Sequence, residues 1–334
     1  MNTAFWENGV ITDADVDFHP TDPAIHDWAE TNYFAFFNAE RRICGHLQAL
    51  FRPNLGVVMT DVRIWRGLVD RSHDALYVAN HHHQPGAPSL RDYSLASGLS
   101  VKAFSPRDYR VDYIGVDDTE IHFDINGIME PYDIADPEMD PVTRAQMDGG
   151  FVLGEAYRGH WDMHARLKGE IRCRGEVIPV DCVQVIDHSW GPRTEADLPG
   201  MMWLGGYFPE IDTAVHGFFP ADPVHSDELE LAHGYICREG KVTGLRSARL
   251  TLSRLNYLPI AAEWHGEDGD GKTFSLYGAA IAGGPWPVYP SVDVGITLMR
   301  WTMDGKVGHG LAMENTSMAY RTRHGLAAQR TPKG

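Results

Sequence analysis

The stretch HWDMHARLKGEIRC, residues 160–173, alternates along its length. Trp161, Met163, Ala165, Leu167, Ile171 and Cys173 fall on one side; His160, Asp162, His164, Arg166, Lys168, Glu170 and Arg172 fall on the other. Successive side chains of an extended chain point to opposite faces, so this is a β-strand with one apolar and one wet face. Arg174-Gly175-Glu176 reads as a turn, and VIPVDCVQVID (177–187) returns as the partner strand. Further alternating runs stand at 57–65, 109–115 and 119–125, and again at 231–238, 242–252, 273–281 and 295–303. Glu239-Gly240-Lys241, Asp270-Gly271-Lys272 and Asp304-Gly305-Lys306 supply the residues that hairpin turns need. Helix is confined to two short candidates, at 22–29 after Pro20 and at 141–147. Many short antiparallel strands without alternating helices predict a mainly β barrel or sandwich, not a doubly wound α/β fold.

At 334 residues, 43% of them hydrophobic, the chain has material for two cores. The polar, proline-broken run PRTEADLPG (192–200) is the expected connection, dividing the chain into 1–195 and 196–334. With 29 basic and 46 acidic residues the formal charge is −17, which argues against nucleic acid or an anionic membrane as partner. No run approaches the eighteen or so apolar residues of a membrane span. The first residues, MNTAFWENGVITDADVDF, have neither a basic nor an apolar leader region, and the four cysteines are scattered. A cytoplasmic protein with reduced thiols is therefore expected, with a homodimer as one assembly open to it.

The densest chemistry lies at the end of the returning strand, in Asp187-His188-Ser189-Trp190-Gly191-Pro192-Arg193. A carboxyl beside aromatic surface has its ionised form disfavoured, which suits it to general-acid work. An indole face stabilises a developing cation. The alternative reading of the same residues is structural: an Asp–Arg ion pair at a domain junction with Trp190 as a core anchor.

This heptad, preceded by GHWDMHARLKGEIRCRGEVIPVD, resembles the hydroxyneurosporene synthase (carotenoid 1,2-hydratase) superfamily of lipocalin-like proteins, in particular a bacterial branch carrying Asp-His-Ser-Trp-Gly-x-Arg. His160-Trp161-Asp162 and the residues from Asp187 to Arg193 match its pattern; 30–58 and GHGLAMEN (308–315) are weaker similarities. The resemblance implies two consecutive lipocalin-like antiparallel β-domains with a largely apolar cavity near their junction. It also implies alkene hydration or related remodelling of terpenoid- or polyketide-like substrates without metal or organic cofactor. The Asp at the position of Asp187 is the implied proton donor, helped by a His near His160. The hydratase branch carries a Tyr two residues before that Asp, where this chain has Val185. Strict alternation would send His160 and Trp161 to opposite faces, so a bulge or a site between the domains is needed for both to serve one pocket.

Other features are less directive. Of His81-His82-His83, only His81 and His83 share a strand face, and the following Gln-Pro-Gly suggests a loop; a surface or pocket-rim role is expected rather than a metal site. His216, His233, His265 and His309 read as hydrogen-bonded structural residues. The aromatic clusters Tyr33, Phe34, Phe36, Phe37 and Trp286-Pro287-Val288-Tyr289 are core material from which a pocket would draw its walls. Glu314 is either a second carboxylate of a site or a solvent-facing strand residue. No dinucleotide fingerprint, phosphate loop or nucleophile elbow is present, so no cofactor and no metal are expected.

The expected activity is a cofactor-independent lyase or isomerase acting on an apolar substrate with a C=C bond or a tertiary alcohol. Asp187 is the expected acid and His160 or His188 its partner. Arg193 orients Asp187, or binds a polar end of the substrate. Trp161, Trp190, Tyr33, Phe36 and Trp286 are the expected binding surface. The rivals are a carrier for a hydrophobic molecule, a cyclase that works by holding its substrate in shape, and a metal enzyme using His81 and His83.

Overall fold

A computed structural model describes residues 11–146, 159–193, 200–222, 226–289 and 291–324. Eleven strands build the first sheet: β1 (Trp28–Asn38), β2 (Ile43–Arg52), β3 (Val57–Arg66), β4 (Tyr77–Pro85), β5 (Asp92–Ser94), β6 (Leu99–Ala103), β7 (Asp108–Ile114), β8 (Glu120–Gly127), β9 (Tyr132–Asp133), β10 (Gly159–Cys173) and β11 (Glu176–Pro192). Their spatial order is β4-β3-β2-β1-β11-β10-β8-β7-β6-β5, with β9 paired to β10. The hairpin read from the alternation, β10–β11, is its centre. It pairs without a slip from Gly159↔Trp190 to Cys173↔Glu176. It turns through Arg174 (φ 49°) and Gly175 (φ 81°), the two left-handed residues that a tight hairpin compatible with strand twist demands.

The second sheet holds β12 (Met201–Phe208), β13 (Thr213–Pro220), β14 (Glu228–Glu230), β15 (His233–Arg238), β16 (Lys241–Leu255), β17 (Leu258–Asp268), β18 (Thr273–Tyr289), β19 (Val292–Met303) and β20 (Lys306–Ser317). Pairing of β16 with β17 closes eight of these strands into a barrel, and β14 flanks β16. The expected turns at Glu239-Gly240 and Asp304-Gly305 reverse the chain with positive φ at both residues. The architecture is mainly β and lipocalin-like: a half-open sheet followed by a closed barrel. The strands of the first end at Pro192 and those of the second begin at Met201; most of the expected connection, 194–199, lies outside the described residues.

Leu204, Val215, Phe219, Ile236, Leu250, Trp264, Leu276, Met299, Trp301 and Ala312 fill the barrel, so its interior is a packed core. The first sheet curls around its own aromatic core, where Phe36 meets Phe123 at 5.2 Å and Phe34 meets Tyr109 at 5.6 Å. Its other face, on the β1–β3 and β10–β11 side, packs on the outside of the barrel. Main-chain bonds stitch the two together: Val69 N–H donates to Gly283 O and Gly283 N–H to Gly67 O. Leu311 N–H donates to Gln184 Oε1.

Three expectations are corrected. The helix at 22–29 does not form. Asp22 accepts from the Ala24 amide through its side chain and from Ile25 through its carbonyl, making turns, while Trp28 and Ala29 pair with Pro192 and Gly191 in the sheet. The helix at 141–147 does form, as α1 (Pro141–Gln146), with Asp140 accepting from the Thr143 amide at 2.7 Å; a second short helix, α2 (Met318–Arg323), follows the barrel. The wet face of β10 is wet only in its second half: His160, Asp162 and His164 are buried under the barrel, and Arg166 and Lys168 are exposed. Residues 81–83 are not in a loop but lie exposed in β4, at the sheet edge. Among the described residues no helix is long and apolar enough to cross a membrane.

Candidate active site between the two sheets

Strand alternation decides which side chains meet. On β11, Asp187 and Ser189 face the barrel, whereas His188 and Trp190 face the interior of the first sheet. The register sets Tyr33 across from Asp187 on one side and Asp162 on the other; one step along, Thr31, Ser189 and His160 line up likewise. Thr31, Tyr33, His160, Asp187 and Ser189 therefore share one wall of a cavity of ≈ 110 Å³, together with Gln48 and Arg193. The barrel's outer surface supplies the opposite wall: Met201 and Trp203 from β12, Phe218 from β13, Trp286 and Val288 from β18, Val294 from β19 and Met313 from β20. One wall brings titratable groups and the other is almost wholly apolar.

Beneath His160 lies Asp162, fully buried. Its carboxylate is 2.9 Å from His160 Nε2 and 3.0 Å from His216 Nε2, and it accepts a hydrogen bond from Trp203 Nε1 at 2.9 Å. Burial alone would push this carboxyl up, but the two imidazoles outweigh it and hold the pKa far below the usual range. Burial disfavours charge on His160 as well, yet the adjoining Asp162 carboxylate raises its pKa. Asp187 differs. Its Oδ2 is 3.9 Å from His160 Nδ1, and its Oδ1 has no hydrogen-bond partner among the described residues. Burial dominates there and pushes the carboxyl up to about 6, against the pull of His160 and Arg193. Two carboxyl groups on neighbouring strands are thus driven apart, Asp162 held down by the imidazoles and Asp187 pushed up by burial. Arg193 donates to Ser189 Oγ, which is 2.7 Å from Thr31 Oγ1.

Of the residues read from the sequence, the fold brings Asp187, His160, Arg193, Tyr33 and Trp286 to this cavity. It sends four elsewhere. His188 bonds the Thr31 carbonyl through Nδ1 at 2.7 Å. Trp190 stacks on His19 with ring centres 3.6 Å apart, Trp161 sits near His188, and Phe36 is in the first core. No bulge brings Trp161 round to join His160; both faces of the strand are simply buried, one by each core. Glu314 points away from the cavity and is held by Arg254 in a two-pronged ion pair at 2.7 and 2.9 Å.

Sequence reasoning missed Asp162, His216 and Trp203 as a unit. His160-Trp161-Asp162 contained the first signal, since residues two apart share a face; His216 and Trp203 come from the second sheet, with no local signature. Val185 packs on Gly205, where an added Cβ would lie 2.9 Å from Val185 Cγ2. Val185 is fully buried at that contact, and two phenol-bearing residues, Tyr33 and Tyr289, line the cavity.

No curated protein matches the chain by sequence. Among solved structures, kievitone hydratase from Nectria haematococca superposes with a TM-score of 0.52 at 12% identity, covering 88% of this chain and 90% of that one. CghA, solved with Sch210972, gives a TM-score of 0.47 at 9% identity, covering 86% and 88%. The first likeness is one of fold. The family model described as "Domain of unknown function (DUF7064)" matches residues 12–318.

Proposed function

This chain belongs to the DUF7064 family, and we propose that it is a cofactor-independent hydro-lyase or isomerase acting on an apolar small molecule by general-acid protonation. The observation that carries the reading is Asp187: a carboxyl with one oxygen unpartnered, aimed into an apolar cavity and pushed up to about 6 by burial. A proton held there passes to an alkene carbon, whereupon water adds to the cation and returns its proton to the Asp187 carboxylate. In the other direction it passes to a hydroxyl that departs as water, while the cation loses a neighbouring C–H proton to that carboxylate. His160, anchored by Asp162 and raised in pKa by it, steadies the carboxylate left behind. Trp286, Trp203 and Tyr33 take the part first assigned to Trp161 and Trp190, stabilising positive charge and excluding bulk water. That kievitone hydratase is built on the same fold supports the reaction class by analogy of architecture alone. A cavity of ≈ 110 Å³ is smaller than a terpenoid-, steroid- or polyketide-like skeleton, so a substrate of that class would place only its reacting end there.

The test is to incubate wild type and Asp187→Asn with a lipophilic cell extract in D2O and to follow the products by mass spectrometry. A wild-type product shifted by one water, or carrying deuterium at a carbon, and absent with the variant, supports the acid. The same unchanged molecule recovered from both identifies a carrier instead.

A further inference from the structure

On the other face of β11, one residue from Asp187, a second polar cluster is built from His19, Glu30 and His188. We propose that these three residues form a divalent transition-metal site, best suited to zinc, that pins the segment before β1 to strands β1 and β11. The inference is independent of the reaction at Asp187.

The donor atoms are already gathered. His19 Nδ1 is 3.0 Å from Glu30 Oε2, His188 Nε2 is 3.8 Å from the same oxygen, and all three lie within 4.8 Å of one another. Ligands held about 2.0–2.1 Å from a tetrahedral zinc are about 3.3 Å apart, between the two spacings observed.

Each donor is aimed by a second contact. A carbonyl only accepts, so His188 Nδ1–H must donate to Thr31 O at 2.7 Å. This leaves Nε2 with a lone pair directed into the cluster. That nitrogen is buried, 1% of the residue being exposed, and has no hydrogen-bond partner among the described residues. An orphan acceptor at this depth is costly unless something binds it. Glu30 Oε1 accepts from the His19 amide at 2.9 Å and from Trp28 Nε1 at 3.1 Å, which turns Oε2 toward the two imidazoles. His19 Nε2 faces Asp15 Oδ1 at 3.3 Å, and Asp15 is itself held by the Thr12 amide and hydroxyl. Trp190 lies flat on the His19 ring, 10° from parallel. A carboxylate or carbonyl behind each ligating imidazole is the usual outer arrangement of a zinc site.

The balance of charge agrees. Glu30 and Asp15 together neutralise a divalent cation. Two imidazoles and one carboxylate select zinc, cobalt(II), nickel(II) or iron(II) over magnesium or calcium. Access and a fourth ligand position are on the His19 side, where the His19 and Asp15 side chains are 16% and 24% exposed while Glu30 and His188 are closed off. The other convergence of such groups among the described residues, His160, Asp162 and Asp187, belongs to the active site already described.

The test uses the full chain, stripped with a chelator, then titrated with Co2+ by absorption and equilibrated with Zn2+ for metal analysis. Wild type is expected to hold one metal per chain, with ligand-field bands of a low-coordinate nitrogen–oxygen site. His81→Ala/His83→Ala, which removes the exposed histidine pair, should bind equally well. His19→Ala, changed at the part-exposed ligand so that folding survives, should lose the bands and the stoichiometry. Asp15→Asn should weaken binding about 10–100-fold, and zinc should raise the melting temperature of wild type but not of His19→Ala. Absence of stoichiometric metal in wild type overturns the proposal. So does metal that persists in His19→Ala, or that disappears with the exposed histidines.

Discussion

Tyr33 and Asp187 stand directly opposite each other on β1 and β11, phenol and carboxyl facing the same cavity. Cross-strand neighbours on one face are about 5 Å apart at Cβ, close enough for both groups to reach one reacting centre. Neither Tyr33 Oη nor Asp187 Oδ1 has a hydrogen-bond partner among the described residues. Burial, and after it the charge on Asp187, raises the phenol pKa well above its ordinary value, so Tyr33 remains a donor throughout the accessible pH range. Tyr33→Phe is expected to lower kcat by about 10–100-fold with the fold retained. The melting temperature should not fall, because the change deletes an unpaired buried hydroxyl. Steady-state kinetics checks this, and an unchanged kcat would remove Tyr33 from the chemistry.

In the proposed reaction the form of Asp187 that acts is the protonated one, and its carboxyl is pushed up to about 6. Turnover should therefore be flat at low pH and fall about tenfold per unit once pH rises well past 6. Asp187→Asn should remove the activity, by about 10²–10⁴-fold, together with that limb. A profile still rising through pH 8 would point to an ionised base as the essential group.

The same shift fixes a stability prediction of definite sign. The folded-state pKa of Asp187 lies above the ordinary 3.8, so the proton stabilises the fold. That contribution is fully present below about 4 and lost as pH rises through 6. Above it, wild type bears a buried charge that Asp187→Asn lacks. The variant should be the more stable protein at pH 8, by on the order of 2 kcal/mol, and the two should converge at pH 4. Denaturant unfolding at both values decides it; a variant less stable at pH 8 would mark Asp187 as structural.

Two tryptophans separate the faces of β11. Trp286 lines the cavity and Trp190 stacks on His19 behind it. Trp286→Ala should raise KM and lower kcat, whereas Trp190→Phe should leave both near wild type while loosening the segment before β1, read as faster amide exchange there. The reverse pattern would place the substrate inside the first sheet.

The alternation at 160–173 was sufficient to find the central hairpin, its turn and the fold class, because period two is local and survives any tertiary context. It could not say what covers the polar side. His160, Asp162 and His164 look like solvent-facing residues until the second sheet, which begins at Met201, is laid over them with Trp203 and His216. For the same reason the heptad at 187–193 is legible as chemistry but not as two faces: His188 and Trp190 lie within three residues of Asp187 in the chain and on the opposite side of the sheet. The helix expected at 22–29 failed where a local turn and strand pairing competed with propensity.

Asp162 is the residue on which the two sheets agree. Its carboxylate meets His160 from β10, Trp203 from β12 and His216 from β13 with no exposure to solvent. Removing one partner from a buried ion cluster leaves the others uncompensated, at a cost of about 3–5 kcal/mol. Asp162→Asn should therefore destabilise the protein at pH 7 by roughly that amount, far more than any change at Asp187. The folded pKa of Asp162 is depressed below 3.8, against burial, by His160 and His216. Its contribution is therefore present above about pH 4 and wanes as pH falls below, and the gap between variant and wild type should narrow in acid. A purely structural hub would do no more than this. Because the Asp162 charge raises the pKa of Asp187 directly and also sustains the opposing charge on His160, the pH at which the variant's surviving activity is lost should differ from that of wild type. An unmoved limb would separate Asp162 from the acid and leave it only the fold to hold.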